Sequence, residues 1–479
     1  MKRSGLFWAC CLSACAASPA RPYVPLAEHW LFSPPSAATT APDAASAVAH
    51  APLWERFQCP ELQSLLAQAL SESYEQKASA ARASQQAALA RVARAPLYPA
   101  LALELSLLAQ SANSRSLGSV SGGFFDAGLR AAYDVDVWGK NKQHAWAEDL
   151  RTQASRYDLA ATELNIASGV ASTYFEILSL RERNLRAQQN LAATQRVLSV
   201  VEARARAGTA LAREVAEQRA LVATQSAYVE LLAQAEAEAL VTLAITAGRE
   251  PGAVQVRAEG LDVVTDPTLT AADLAVPARL SERRPDVARA EAELRATHAD
   301  VTAARAALWP QLNLAGSVAF QTGFLADVPE ANGNGLVYTG ILSLSQPIFD
   351  AGALAGVRDA AAARRAEAEA NYRRVVLQAV GEVDRALRAL VGLQKRYDLQ
   401  RQVIDEARRA FTLVEVEYQA GATDLLAVLD AQRALFRAED DYGVVRLEKL
   451  RAEVALVTGL GGGWSERTPR GHVPVNKLN

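Results

Sequence analysis

The stretch "ARAALWPQLNLAGSVAF", Ala304 to Phe320, changes period in its middle. Its first half carries the alanine and arginine spacing of a helix end. The second half alternates, with Leu312, Leu314, Gly316, Val318 and Phe320 on one side and Asn313, Ala315, Ser317 and Ala319 on the other. A change from a 3.6-residue period to a two-residue period is a change from helix to strand. The Trp309–Pro310 step supplies the break, because proline ends a helix and biases the preceding residue toward extended backbone. "ARAPLYPALALELSL", Ala93 to Leu107, is built the same way, with Tyr98 and Pro99 at the joint.

What surrounds the two junctions also repeats. Residues 100–110 alternate, with Leu101, Leu103, Leu105 and Leu107 on one side, and a second run at 123–135 places Phe125, Leu129, Tyr133 and Val135 opposite Asp126, Arg130 and Asp134. Its counterparts are 311–321 and 336–346, the latter with Leu336, Tyr338, Gly340, Leu342 and Leu344 on one face. A proline-free stretch, 140–206, then predicts one helix about 100 Å long. "RAGTA" at 206–210 turns it, and a second helix reaches residue 247 before Gly248 and Pro251 stop it. In the second half a helix over 284–308 precedes the strands. The long helices follow over 354–458, turned by "AGATD" at 420–424 and stopped by "GLGGG" at 459–463. Arg94 and Arg305 are 211 residues apart, as are Gly248 and Gly459, and Gly208 and Gly421 are 213 apart. The chain is therefore an internal duplication, with repeats at 56–251 and 284–464 and an inter-repeat segment at 252–283.

Half the residues are hydrophobic, yet only 6% are aromatic, and much of the apolar count is alanine. Such a composition favours long helices in close contact. Val376, Val383, Leu390, Tyr397, Ile404, Phe411 and Tyr418 recur every seven residues, with Ala379, Ala386, Leu393, Ala407 and Val414 three later and Gln400 as the polar exception. A seam held over so many heptads predicts supercoiled helix partners. The net charge of -3, with arginine and glutamate interleaved, gives no basic field for nucleic acid.

"MKRSGLFWACCLSAC" joins a basic start to an apolar run from Leu6 to Leu12, too short to span a bilayer. Its ending, Leu12-Ser13-Ala14-Cys15, resembles a bacterial lipoprotein box. Residues 1–15 are thus expected to be a signal, with Cys15 acylated and Ala16 in the second place, as in lipoproteins sent to the outer membrane. The Pro-, Ala- and Ser-rich residues 16–55 read as an extended tether, and 465–479 as a tail. Removal of the signal leaves Cys59 without an internal disulfide partner. His29, His50, His144, His298 and His472 are scattered, and neither metal-ligand spacing, a phosphate-binding glycine loop nor a GxSxG elbow is present. No enzyme, cofactor or metal is expected.

Strands of about ten residues with one apolar face suit a membrane β-barrel, although a small soluble sheet also alternates. A non-channel periplasmic coiled-coil lipoprotein would need no such strands. "RRPDVARAEAELRATHADVTAARAALWPQLNLAGS" at 283–317 resembles the second-half signature of the TolC-like outer-membrane efflux proteins, in their NodT and OprM-like lipoprotein branch. "FQCPELQSLLAQAL" at 57–70, "YDVDVWGK" at 133–140, "QPIFDAG" at 346–352, "YQAGATDLLAVLDAQRALF" at 418–436 and "GLGGGW" at 459–464 resemble further family landmarks, in family order.

The resemblance implies an α+β membrane protein in the outer membrane, lipid-anchored and extending into the periplasm. Four strands per chain would enter a trimeric twelve-stranded β-barrel continuous with an α-helical coiled-coil barrel. The homotrimer would be the exit duct of a tripartite efflux system for drugs or other toxic small molecules. Its partners would be a periplasmic adaptor (membrane fusion) protein and an inner-membrane transporter, usually of the resistance-nodulation-division type. The family also includes type I secretion channels for proteins or peptides. Gly208, Thr209, Gly421, Ala422 and Thr423 would form the adaptor-facing hairpin tips. Asp430, Tyr418 and Arg206 would belong to a periplasmic gate, with Glu202 and Glu217 as further partners. Ala427 stands where some relatives carry a second acid.

Overall fold

The computed structural model describes residue 24 and residues 53–114, 118–265, 283–322 and 335–464. Cys15 and its signal, nearly all of the tether 16–55, residues 266–282 of the inter-repeat segment and the tail 465–479 lie outside the described residues. The chain runs α1 (Pro60–Glu72), α2 (Tyr74–Arg94), β1 (Ala100–Ser114), β2 (Gly118–Val135), α3 (Lys140–Arg206), α4 (Ala212–Thr246), α5 (Pro285–Ala306), β3 (Gln311–Thr322), β4 (Leu336–Ser345), α6 (Ala353–Gln419) and α7 (Leu425–Gly459). α3 and α6 are each 67 residues long, and α4 and α7 are each 35. The duplication thus extends to helix length.

Two compact units divide the chain. The first holds Arg82–Arg156 and Arg289–Arg373 and contains the sheet. Its four strands are antiparallel in the order β1-β2-β3-β4. Leu103 lies opposite Leu129, Leu129 opposite Val318, and Val318 opposite Tyr338, so one apolar row crosses all four strands. This row is 70%, 50%, 44% and 71% exposed, a face that water would not stabilise at such size. On the other face Asp126 is buried, pairs with Arg130 at 3.0 Å and accepts 2.8 Å from Gln321 Nε2, while Arg130 also pairs with Glu104.

Both helix-to-strand junctions tighten before they extend. A short 3-10 turn covers Ala95–Leu97, and Leu308 and Trp309 donate to the carbonyls of Arg305 and Ala306. Tyr98 and Trp309 are exposed at the strand bases, where amphipathic rings suit a lipid–water interface. Trp309 stacks on Trp138 at 5.2 Å, and Trp138 Nε1 donates to Pro310 O at 2.7 Å. The return from strand to helix is also duplicated. Asp136 accepts from the backbone N–H groups of Asn141 and Lys142, and Asp350 from those of Gly352 and Leu354. Each carboxylate satisfies amides at the start of a long helix. The bonds from Leu354 and Gly352 hold the Asp350 carboxyl below its ordinary range.

The second unit holds Val24–Ala81, Tyr157–Ala288 and Arg374–Asn479. Tyr174, Phe175, Ile177 and Leu178 on α3 are fully buried, with Phe57 5.2 Å from Phe175. Tyr174 donates to Glu61 at 3.0 Å and lies 3.3 Å from the buried Cys59 sulfur; burial drives its hydroxyl well above the ordinary tyrosine range. Arg284, in the "RRPD" run, pairs with Asp286 and Glu382 and donates to Gly459 O, so it ties α5 to the middle of α6 and the end of α7. The predicted seam of α6 is buried or half-buried throughout, and the polar exception Gln400 donates to Ala438 O at 3.0 Å.

Two local features differ from the sequence reading. The proline-free stretch after Pro60, which reads as one helix up to the first junction, divides at Ser73, whose ψ is 129°. The break leaves the Glu72 carbonyl to Lys77 Nζ at 2.9 Å and aims its carboxylate at Arg249, at 2.6 and 3.0 Å. The strands of the first half also run further, to Ser114 and from Gly118, through the Ser-, Asn- and Gly-rich stretch that reads as loop.

Candidate functional site: the tips of the two helical hairpins

The turns between α3 and α4 and between α6 and α7 use one design. Gly208 has φ +74° and Gly421 φ +77°, a left-handed conformation that costs other L-residues energy. A Cβ at either position would meet nothing within 4 Å, so glycine is required by the backbone angle alone. Thr209 N–H donates to Arg204 O at 2.9 Å and Ala422 N–H to Glu417 O at 2.8 Å, closing both helix ends. The helices that follow start on side-chain acceptors. Asp424 Oδ1 caps Ala427 N at 3.1 Å, and Glu214 accepts from Leu211 N at 3.3 Å. Thr423 is half-buried, whereas Gly208, Thr209, Gly421 and Ala422 are exposed. Leu211 and Leu426 beside them are exposed apolar side chains.

Behind the turns the hairpins share a core. Val197 and Val201 from α3, Leu221 from α4, Tyr418 from α6 and Leu425, Val428 and Leu429 from α7 form one buried cluster. Tyr418 therefore touches the other hairpin, and Arg204 covers it. The Arg204 guanidinium lies 4.3 Å from the ring centroid, and Nη2 donates to Tyr418 O at 2.8 Å and Gln419 O at 3.3 Å. A cation on the last carbonyls of a helix also meets the negative end of its dipole. Arg206 is exposed two residues further on. Glu202 is engaged within its own hairpin by Arg219 at 2.7 Å, and Glu217 by Arg213 at 3.6 Å. The sequence does carry the signal for Arg204. Positions 197, 201 and 204 keep the four-three spacing of a seam, so a charge at 204 must find a partner there, and Arg206 falls off that line. Asp430 is 66% exposed and 3.5 Å from Arg433.

Further along the hairpins, polar links replace the apolar cluster. Arg183 on α3 grips Asp440 on α7 with two bonds of 2.8 and 3.1 Å, and Tyr228 on α4 donates to Asp440 Oδ1 at 2.6 Å. Burial, and then the bond to Asp440, push the Tyr228 hydroxyl up. Gly443 makes room for this clasp, since a Cβ there would lie 2.7 Å from Arg183 Cγ. Arg446 pairs with Glu182 and Arg451 with Glu176, at 3.1 and 2.8 Å. Among the described residues no group of His, Cys, Asp and Glu could hold a metal ion, and no helix is long and apolar enough to cross a membrane.

Comparison with known proteins agrees with this geometry. The family model described as outer membrane efflux protein matches residues 65–249 and 276–462, one segment for each repeat. The pyoverdine export outer membrane protein OpmQ of Pseudomonas aeruginosa is 39% identical over 474 residues, 97% of each chain. Among solved structures, the outer-membrane channel OprN superposes with a TM-score of 0.83 at 25% identity, over 93% of this chain and 99% of that one. The open state of the Neisseria gonorrhoeae MtrE outer membrane channel gives 0.78 at 26% identity, over 93% and 98%. With the repeat, the lipid-facing sheet and the paired helical hairpins all present in one chain, the protein belongs to the outer membrane efflux protein family.

Proposed function

We propose that three copies of the chain form one duct through the outer membrane, the exit of a tripartite efflux system. The observation that carries this reading is the sheet, with its face of exposed leucines and with β1 and β4 as outer strands. Lipid offers no water to the backbone groups of a free strand edge, so these edges require strands from neighbouring copies. Single-chain barrels begin at eight strands, and four per chain call for company. Three copies, as the family resemblance implies, make twelve.

In this reading Cys15 carries the acyl anchor and the hairpin tips open on the periplasm. An adaptor protein seats on Gly208, Thr209, Gly421, Ala422 and Thr423, with Leu211 and Leu426 as apolar contacts. A transporter of the resistance-nodulation-division type in the inner membrane selects and drives the cargo. The name of the 39%-identical relative, a pyoverdine exporter, favours an exported small molecule. Three copies of Asp430 at the mouth would favour cations. Opening would move the α6–α7 hairpin past α3–α4, across the cluster that holds Tyr418, with Arg206 exposed beside the mouth.

The test is assembly together with conduction. Purified protein should run as a heat-dissociable trimer and conduct ions in planar bilayers. Leu103→Lys sets a charge in the lipid-facing row at a cost of about 2–4 kcal/mol per copy near the bilayer midplane, and should abolish both. A monomer that conducts, or an unaffected Leu103→Lys trimer, would refute the reading.

A further inference from the structure

A cavity of about 790 Å³ opens beside the polar clasp, with α3 as its floor and α4 and α7 as its walls. It lies apart from the turns at 206–211 and 419–424, and shares only Leu221 with the cluster behind them and Arg433 with the ion pair to Asp430. Its volume falls in the range of small-molecule sites, about 300–1,000 Å³, and its lining joins six apolar side chains to ten polar or charged ones. Ala187, Ala220, Leu221, Ala227, Leu231 and Phe436 supply the apolar part.

The sign of the charge left over decides what fits. Two acids line the cavity, Glu439 and Asp440, and both are committed. Glu439 accepts from Asn190 and pairs with Arg408, each at 3.0 Å, and Asp440 is held by Arg183 and Tyr228. Two of the lining arginines are committed as well, Arg183 to Asp440 and Arg186 to Glu182 at 3.0 Å. Arg433 and Arg437 differ. They stand one helical turn apart on α7, 57% and 86% exposed, and their only ion pairs among the described residues are long ones along their own helix, 3.5 Å to Asp430 and 3.8 Å to Asp441. Contacts of that kind are worth a few tenths of a kcal/mol, so both guanidiniums can turn toward a better acceptor. A planar fork is well matched to a carboxylate or sulfonate. Within the lining an organic cation would face these two arginines and no uncommitted acid, since Asp430 and Asp441 lie outside it.

We propose that this cavity binds an amphipathic organic anion, its acid group on Arg433 and Arg437 and its apolar body against Leu221, Leu231 and Phe436. The full-length protein in lipid nanodiscs, titrated with 6-fluoro-2-naphthoate and followed by fluorine NMR of the ligand, tests it. Binding should saturate. It should weaken at least tenfold in the Arg433→Gln/Arg437→Gln variant, and it should disappear in Leu231→Trp, which fills the cavity from an exposed wall position. The matched cation, 6-fluoro-2-naphthylmethylammonium, should not compete. Arg409→Gln, an exposed control on α6, should bind as wild type. Equal binding of the cation, an unaffected double-glutamine variant, or no saturable binding to wild type would each overturn the proposal. The last result is expected where a neighbouring copy or a partner's helix fills the cavity. Because the readout is binding, it stands or falls separately from trimer formation and conductance.

Discussion

Replacing Arg204 by Gln removes the guanidinium that fastens the end of α3 to the end of α6. Three contacts go with it: the stack on Tyr418 at 4.3 Å, the 2.8 Å bond to Tyr418 O and the 3.3 Å bond to Gln419 O. A cation over a ring at an exposed site is worth about 0.5–1 kcal/mol. A hydrogen bond from a charged donor contributes about 1.5–3 kcal/mol when well formed, and only the shorter of the two qualifies. Arg204 is half-buried, so solvent screening removes a large part of both. A net loss of about 1–2 kcal/mol per chain remains, a five- to thirty-fold change in the balance between fastened and released tips. Three chains opening as one would multiply the free energy by three. Open probability in planar bilayers should rise accordingly, and cells carrying the variant should admit vancomycin. Arg204→Lys keeps the charge but loses the planar stack and should fall between. Wild-type open probability for Arg204→Gln, above all alongside an effect of Arg206→Gln, would refute the assignment of the tip contact.

Asp430→Ala should leave the folding stability within about 0.5 kcal/mol of wild type, as for an exposed helix residue, yet raise the leak through the closed mouth. Single-channel conductance and vancomycin sensitivity unchanged from wild type would count against Asp430 as a gate residue. Cys15→Ser should abolish labelling by radioactive palmitate, and persistent labelling would move the acylation elsewhere. The hydrogen bond from Arg249 holds the Glu72 carboxyl below its ordinary value. Its contribution is therefore complete above the unfolded value of about 4.3, and it is lost as pH falls through the folded one. Glu72→Gln should flatten that acid limb of the thermal stability profile while leaving an offset at neutral pH; an acid limb as steep as wild type would remove Glu72 from the account.

The sequence made the repeat, the strands' central parts and the helix ends legible because each rests on a periodicity or a backbone requirement. Leu101 to Leu107 must alternate to face lipid, and Gly208 and Gly421 must be glycine to turn left-handed. The outer ends of β1 and β2 obey no such rule. Residues 111–114 and 118–123, small and mostly polar in sequence, pair as strand without an alternating pattern. The break at Ser73 has no such local signal, and the partner it presents Glu72 to, Arg249, is 177 residues away. At the tips, Tyr418 stood out as the end of the heptad series. Which arginine covers it depends on how α3 rotates against α6, and only the burial of Val197 and Val201 fixes that phase.

The matched lengths of the four long helices, 67 and 35 residues in each repeat, amount to a dimensional tolerance. One residue inserted in α3 would advance its tip by 1.5 Å and turn it by about 100°, taking Arg204 off its ring and Val201 out of the cluster. Seven residues would restore the phase but leave that tip about 10 Å beyond its twin. Two hairpins that have to present their turns together can change length only in sevens, and only both at once. The duplication thus works as a pair of gauges, each checking the other, and drift in one half is visible as misfit in the other long before either helix fails to fold.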